Sequence, residues 1–120
     1  MAVGQNITVT PEQRLAALEG ADGLQETATH AADGAITIKN GKAIISKGSA
    51  AAITLAAPTT GTDDGKVLRI EAATTFAHVV TVTGMIGGST LTFATNSDHA
   101  ILRAVKGSWQ IMQTKNVTVA

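Results

Sequence analysis

Short runs of alternating apolar and polar residues recur along most of this chain, and turn residues separate them. Between residues 35 and 120 the runs are AITIK, KAIIS, AAITLAA, KVLRIEA, HVVTVTG, STLTFAT, HAILRAV, WQIMQT and NVTVA. Turn signals fall about every 8–12 residues, a spacing typical of antiparallel sandwiches and barrels. The pattern predicts a mainly β domain over residues 35–120, a small antiparallel β-sandwich or barrel of jelly-roll-like form.

The strongest hairpin signal is the Asn40-Gly41 pair between AITIK and KAIIS. This pair is preferred in type I′ turns, where both residues adopt positive φ. We therefore expect the two runs to pair as an antiparallel hairpin. Parallel strands would need long crossovers, usually helices, and no helix is predicted between the runs. The runs are not copies of one unit, so a solenoid is not expected.

A helix start precedes the β runs in the segment TPEQRLAALEG. Thr10 suits the N-cap, Pro11 suits the first helical position, and Gln13 completes a capping box with Thr10. The segment predicts a short helix over residues 11–19. A helix of this length is marginal in isolation, so it needs a partner surface.

The apolar face of this helix contains Leu15 and Leu18, which are three residues apart. The following stretch, residues 21–34, contains two Asp-Gly pairs and predicts a loop with room for one short strand. Two regions result. Residues 1–34 form an N-terminal arm, a helix and a loop, and residues 35–120 form the β domain.

The composition excludes several kinds of partner and site. Lys plus Arg equals Asp plus Glu at nine each, so no charge excess indicates nucleic acid or an anionic membrane. There is no cysteine, which excludes disulfides and thiolate metal sites. No apolar run approaches the roughly 18 residues that span a bilayer. Aromatic residues are 2% of the chain, so a ligand pocket built on rings is not expected.

The loop TDDGK offers the first candidate site, because Asp63, Asp64 and Lys66 surround Gly65. Calcium loops alternate their acidic ligands, whereas here two adjacent acids are followed by a lysine that repels a cation. The loop also lacks the glycine-rich run of a phosphate-binding loop. We interpret it as a turn in which an aspartate caps the backbone and Gly65 supplies positive φ.

The three histidines and one Asp-His pair are the other candidates for chemistry. His30, His78 and His99 show no spacing typical of a zinc site, so no metal or cofactor is predicted. Asp98 and His99 are neighbours at the start of a run, and neighbouring strand residues point to opposite faces. They are poorly placed to act as a dyad, and no nucleophile elbow occurs. We expect no enzyme activity.

Trp109, in the run KGSWQIM, is the only tryptophan of the chain. A tryptophan can stack on a ligand, but in a chain with so few rings a core position is favoured. We expect Trp109 to be the core anchor that closes one end of the sandwich. Its indole N–H then needs a buried acceptor, which a backbone carbonyl can supply.

One part of the chain resembles a known class of proteins. ITLAAP is followed by DGKVLRI, then by HVVTVTG and GMIGGSTLTF, and finally by SDHAILRAVKGSWQIM. This order, over residues 53–112, resembles segments of tailed-bacteriophage virion proteins. Similar segments in tail fibres and in head decoration (cement) proteins form small antiparallel β domains that trimerise. The resemblance implies architecture and role, and it carries no catalytic residue.

Within that class, the chain is most like a head decoration protein. It has no repetitive shaft, and its starting Met, capped helix and terminal strand are expected of a complete short protein. The resemblance implies a homotrimer on the capsid exterior of the virion, made in the host bacterial cytoplasm, with the major capsid protein as partner. The alternative is a small tail-fibre or receptor-binding domain that recognises a host surface ligand.

An N-terminal arm contacts the capsid or a neighbouring subunit in several such proteins. Here NITVT alternates and offers a strand for β-augmentation. The candidate capsid-contact residues of this arm are Gln5, Asn6, Ile7, Thr8 and Val9.

Overall fold

A computed structural model describes residues 26–120 of the protein, and these residues form ten β-strands. The strands are β1 (Glu26–His30), β2 (Gly34–Ile36), β3 (Gly41–Ile45), β4 (Ala52–Leu55), β5 (Val67–Ala72), β6 (His78–Val82), β7 (Thr90–Phe93), β8 (His99–Val105), β9 (Ser108–Lys115) and β10 (Val117–Val119). They build two five-stranded sheets. The predicted mainly β, sandwich-like fold is confirmed. The predicted helix over residues 11–19 and the N-terminal arm lie outside the described residues.

The chain crosses from one sheet to the other after each of its first five strands. Sheet 1 has the order β1-β3-β5-β8-β9, and sheet 2 has the order β10-β7-β6-β4-β2. Consequently β1, β3 and β5 are parallel in sheet 1, and β2, β4 and β6 are parallel in sheet 2. The first six strands therefore alternate between the two sheets, and within each sheet the three parallel strands lie side by side in chain order.

The second half of the chain runs through hairpins. β7 turns back on β6 in sheet 2, and β8 pairs antiparallel with β5 and β9 in sheet 1. β10 then returns to sheet 2 beside β7. Both sheets are therefore mixed, and the prediction of wholly antiparallel pairing is wrong. Parallel neighbours need a long connection, and a strand of the opposite sheet provides it here without a helix.

The Asn40-Gly41 hairpin is also absent, because β2 and β3 belong to different sheets. Positive φ among the described residues other than glycine occurs at Ser97, Lys106 and Asn116, so Asn40 does not adopt the type I′ conformation. Gly41 has φ 129°, and β1 passes close to its backbone. A Cβ at Gly41 would overlap the Glu26 carbonyl oxygen. The glycine therefore allows β1 to approach β3 closely, and it is not part of a type I′ turn.

A type I′ geometry occurs instead at Lys106 and Gly107, between β8 and β9. Val105 pairs with Ser108, so the loop has two residues, and their φ angles are 50° and 83°. A Cβ at Gly107 would lie 2.7 Å from the Thr60 hydroxyl oxygen. The turn lies in the segment KGS, residues 106–108.

The β domain begins before residue 35. β1 lies in the stretch predicted as a loop with room for one strand, and it pairs with β3 along its whole length. None of the residues from 26 to 120 belongs to a helix long and apolar enough to cross a membrane.

A single hydrophobic core lies between the sheets. Sheet 1 contributes Ala43, Ile45, Leu68, Ile70, Ala72, Ala100, Leu102, Ala104 and Trp109. Sheet 2 contributes Ile36, Ile53, Leu55, Val80, Val82, Leu91 and Phe93. These are the alternate residues of each strand, so the period-two pattern of the sequence places them inward. The remaining strand residues form two outer faces.

Candidate functional site

The TDDGK loop closes on itself through Asp63. This carboxylate is buried, accepts a hydrogen bond from the Thr59 N–H at 2.7 Å and forms an ion pair with the Lys66 Nζ at 2.9 Å. Burial alone raises the pKa of Asp63. The Thr59 and Lys66 contacts outweigh that effect, so the pKa lies below its usual value. Lys66 is therefore paired with Asp63 and is not available to bind a ligand.

The neighbouring Asp64 and Gly65 tie the same loop to the β8–β9 hairpin. Asp64 accepts the Lys106 N–H at 2.8 Å, and the Gly65 N–H donates to the Ala104 carbonyl at 2.8 Å. Gly65 has φ 85°, the positive value expected for the turn. The turn interpretation of TDDGK is confirmed, because both carboxylates are used to hold backbone.

His78 is the second buried polar group, and it joins three segments at one end of sheet 2. Its Nδ1 accepts the Ala51 N–H at 3.1 Å, and its Nε2 lies 2.8 Å from the Thr74 hydroxyl. That hydroxyl lies 2.7 Å from the Lys47 carbonyl and donates to it. The Thr74 oxygen must then accept from His78 Nε2, which fixes the neutral Nε2–H tautomer.

A proton on His78 Nδ1 would face the Ala51 N–H, so the site favours the neutral ring. Burial lowers the pKa of His78; the Thr74 hydrogen bond raises it and the Lys47 charge lowers it, with a net lowering. His78 is the first residue of the run HVVTVTG, and it starts β6. The structure adds its complete burial, for which the apolar run HVVTV was the available signal.

The other predicted candidates for chemistry are not brought together. The buried Asp98 carboxylate caps the preceding turn by accepting the Thr95 N–H at 2.8 Å. The His99 Nδ1 lies 3.4 Å from the Ser97 carbonyl instead of near Asp98. His30, in β1, has a buried Nε2 without a hydrogen-bond partner among residues 26–120. Within that range no three His, Asp or Glu side chains are grouped to hold a metal.

Trp109 is part of the hydrophobic core. Its side chain is fully buried, and the indole N–H donates to the Ala56 carbonyl at 2.9 Å. Its backbone N–H donates to Gly84. Trp109 belongs to sheet 1, whereas Ala56 follows β4 of sheet 2, so this side chain joins the two sheets.

Two shallow open grooves occur in the described part of the chain. One, of about 450 Å³, lies along β2 and β4, where Ala35, Thr54 and Thr83 are among the lining residues. The second, of about 410 Å³, lies on sheet 1 and includes Lys42, Arg69 and Ile101. Neither groove contains one of the buried polar residues Asp63, His78 or Asp98.

The outward strand residues of sheet 2 carry no charge. Strand register places its outward residues in two rows across the sheet. The first row is Ala35, Thr54, Thr81 and Thr90, and the second row is Ala52, Val79, Thr92 and Thr118. Neighbouring strands are about 4.8 Å apart and alternate residues about 7 Å apart, so the rows form a small flat array. We call it the threonine face.

The outer face of sheet 1 differs in its chemistry. Its outward residues include Lys42, Arg69, Arg103 and Lys115, together with one acidic residue, Glu71. The Glu71 carboxylate lies 3.2 Å from Lys42 Nζ and 3.2 Å from Arg69 Nε. Burial raises the pKa of Glu71, and its two cationic neighbours lower it further, for a net lowering. We call this surface the basic face.

The sequence analysis did not place these two faces, although alternation was its main signal. The outward residues that lie side by side can be assigned only when the strand order is known. The sequence predicted antiparallel pairing throughout, which gives a different order. No protein-family model matches the chain, and no curated protein is significantly similar to it.

Proposed function

We propose that this chain is a structural virion protein that binds the outer surface of a bacteriophage capsid and stabilises it, acting as a homotrimer. The resemblance of residues 53–112 to virion β domains carries the assignment. In the structure these residues extend from β4 to β9 and include the Asp63 turn and the Trp109 anchor. The buried polar groups described above hold backbone, which agrees with a scaffold.

The threonine face supports the oligomeric part of the proposal. Around a threefold axis, the residues of this face that lie close to the axis would meet their own counterparts in the other two copies. Like charges brought together in this way would repel, and the two rows of the face contain none. The small side chains Thr54, Thr81 and Ala52 allow close approach of the backbones. The occupant of this face is therefore another copy of the chain.

The capsid contact is assigned to the arm residues Gln5 to Val9, which offer an alternating strand. A strand added to an exposed sheet edge gains main-chain hydrogen bonds without a pocket. Three arms on one trimer bind a repeating lattice with avidity, so each contact can be weak.

The test uses capsids from which the native decoration protein has been removed. Purified protein added to such capsids should bind to a saturable, stoichiometric level and raise the temperature at which the capsids disrupt. Binding to host cells without binding to capsids would contradict the proposal and support the tail-fibre alternative. A stable monomer at micromolar concentration by light scattering would contradict the trimer.

A deletion separates the arm from the fold. Removal of residues 1–9 should weaken capsid binding by an order of magnitude or more, while the melting temperature changes by only a few degrees. Equal losses of binding and stability would show that the arm is part of the fold and not a capsid contact.

A further inference from the structure

The excess positive charge of the basic face lies on β8 and β9. Strand register places Ile101 and Arg103 of β8 on this face, beside Gln113 and Lys115 of β9. Arg103 and Lys115 are both exposed, and neither forms an ion pair with another residue between 26 and 120. Neither strand contains an acidic residue. We call the outward residues of these two strands the β8–β9 half of the basic face.

The other half of the face, on β1, β3 and β5, is close to neutral. The Glu71 carboxylate lies 3.2 Å from Lys42 Nζ and 3.2 Å from Arg69 Nε. Glu26, at the start of β1, lines a shallow groove together with Lys42 and Arg69. The two cations of this half therefore lie near two acids, and the unbalanced charge remains on β8 and β9.

The spacing of the two free cations favours an extended partner over a single small anion. Lys115 lies opposite His99, which is four residues before Arg103 on β8. Four residues of an extended strand span about 13 Å, so the two charges attract separate groups of a partner. Neither of the two grooves described above includes Arg103 or Lys115, so the contact surface is flat.

Apolar side chains lie beside the free cations. Ile101 is half-buried and lies two residues before Arg103 on the same side of β8, and Val67, 36% exposed, lies opposite Arg103. Interfaces between proteins combine apolar contacts with charged groups at their margin, whereas a nucleic acid backbone offers closely spaced phosphates. The mixture therefore favours a protein surface that carries separate carboxylates.

The position of the basic face in the proposed trimer indicates which protein it meets. The two outer faces lie on opposite sides of the sandwich, because the core lies between the sheets. If the threonine faces lie at the threefold axis, the basic faces point away from it, toward the lattice that surrounds the trimer. Faces of the same charge repel each other, so another copy of the basic face is a poor partner.

We propose that the β8–β9 half of the basic face binds an acidic surface of the capsid protein, with carboxylates opposite Arg103 and Lys115. This inference rests on the proposed function and adds a charged contact to the one assigned to the arm. Residues 1–10 contain no charged side chain, so the arm contact should depend little on salt. Salt screens the charged contact, so the salt dependence of capsid binding reports on the basic face.

Binding to capsids from which the native decoration protein has been removed, at about 0.05 M and about 0.3 M salt, tests the charged contact. Arg103→Glu should lower the affinity about tenfold at low salt and by a smaller factor at high salt. Arg103→Lys keeps the charge at the same position and should stay within about threefold of the wild type. Lys106→Glu makes the same change of charge in the β8–β9 turn, and it should stay within about twofold.

The outcomes separate the charged contact from the proposed function. Failure of the wild type to bind capsids would contradict both. Capsid binding by the wild type, with equal affinities for Arg103→Glu and Lys106→Glu, would overturn only the charged contact. Lys115→Glu, at the other free cation, should reproduce the loss of affinity, so the result does not depend on how one substitution affects folding.

A duplex DNA probe tests the other class of acidic partner. Because the basic face has only two free cations, the wild type should not retard a DNA fragment on a gel at about 0.15 M salt, at protein concentrations that saturate capsids. DNA binding that is lost in Arg103→Glu and kept in Lys106→Glu would overturn the protein partner and assign the face to a nucleic acid.

Discussion

The two sheets share one core but place their ionisable side chains differently. The strands of sheet 1 contain Glu26, His30, Lys42, Arg69, Glu71, His99, Arg103 and Lys115. Among the described strands of sheet 2 the only ionisable residue is His78, and it points inward. Most inward residues of both sheets are apolar, and they alternate in the same way. The difference therefore lies in recognition and not in folding: one face is suited to charged partners and the other to close contact with an uncharged surface.

The largest effect is expected from a charge placed on the threonine face, because it removes the difference in charge between the two outer faces. Thr81→Arg would bring three guanidinium groups together at the axis of the proposed trimer, so light scattering should show a roughly threefold fall in mass. Gln113→Arg adds the same charge to an exposed position on the basic face. That control should remain a trimer, and loss of the trimer in both variants would refute an interface limited to the threonine face.

The contrast should not extend to the core, and Trp109 tests this point. Trp109→Ala should reduce the free energy of unfolding by about 3–5 kcal/mol, because it leaves a cavity and an unpaired Ala56 carbonyl. Trp109→Phe keeps most of the ring volume and should cost about 1–3 kcal/mol. Both sheets should still unfold in one transition by amide hydrogen exchange. An unchanged melting temperature would refute the core role of Trp109.

Low pH should reduce the stability of the protein through His78, the buried histidine of sheet 2. Because the folded pKa of His78 lies below that of the unfolded chain, its contribution to stability is complete above about pH 6.5 and is lost as pH falls below that value. A single such group gives a slope of at most about 1.4 kcal/mol per pH unit. Urea unfolding between pH 7.5 and 5 measures the slope.

The matched control for this acid response is His99→Gln, on the exposed side of sheet 1. It should preserve the dependence on pH, whereas His78→Gln should flatten it at a lower overall stability. The same dependence in both variants would exclude His78 as its source.

The smallest effect is expected from single outward side chains. Glu71→Gln leaves Lys42 and Arg69 without their shared carboxylate and should cost about 0.5–1 kcal/mol at low salt and less at high salt. Thr92→Val, at a comparable outward position of sheet 2, should change stability by less than about 0.5 kcal/mol at any salt concentration. Urea titrations at two salt concentrations measure both, and an equal salt dependence would contradict the contrast between the faces.

The period-two pattern was sufficient to predict the nine runs that form β2 to β10, and the scarcity of rings indicated a core position for Trp109. It was not sufficient for the pairing, because alternation is the same in parallel and antiparallel strands. Asn40-Gly41 shows the limit of local signals. The pair has the composition of a hairpin turn, but the close passage of β1 leaves no room for a Cβ at residue 41. That approach joins residues distant in sequence, and no local pattern contains it.

Much the same holds for the sites. Local chemistry identified TDDGK as a turn, since the missing ligands could be read from five residues. The complete hydrogen bonding of His78 involves Ala51 and Thr74, which only the crossing of the chain between sheets brings together. The two outer faces likewise depend on strand order, so they could not be assigned from the sequence.

The alternation of the chain between the two sheets has a consequence for how it folds. The two hairpins, β6–β7 and β8–β9, join neighbouring segments, whereas β1, β3 and β5 pair only after the chain has passed through the other sheet. Contacts between nearby segments form faster because less loop entropy is lost. The ribosome, however, releases first the parallel strands, which pair slowly. We expect the emerging N-terminal half to remain unpaired until the later hairpins provide an edge on which its strands can be added.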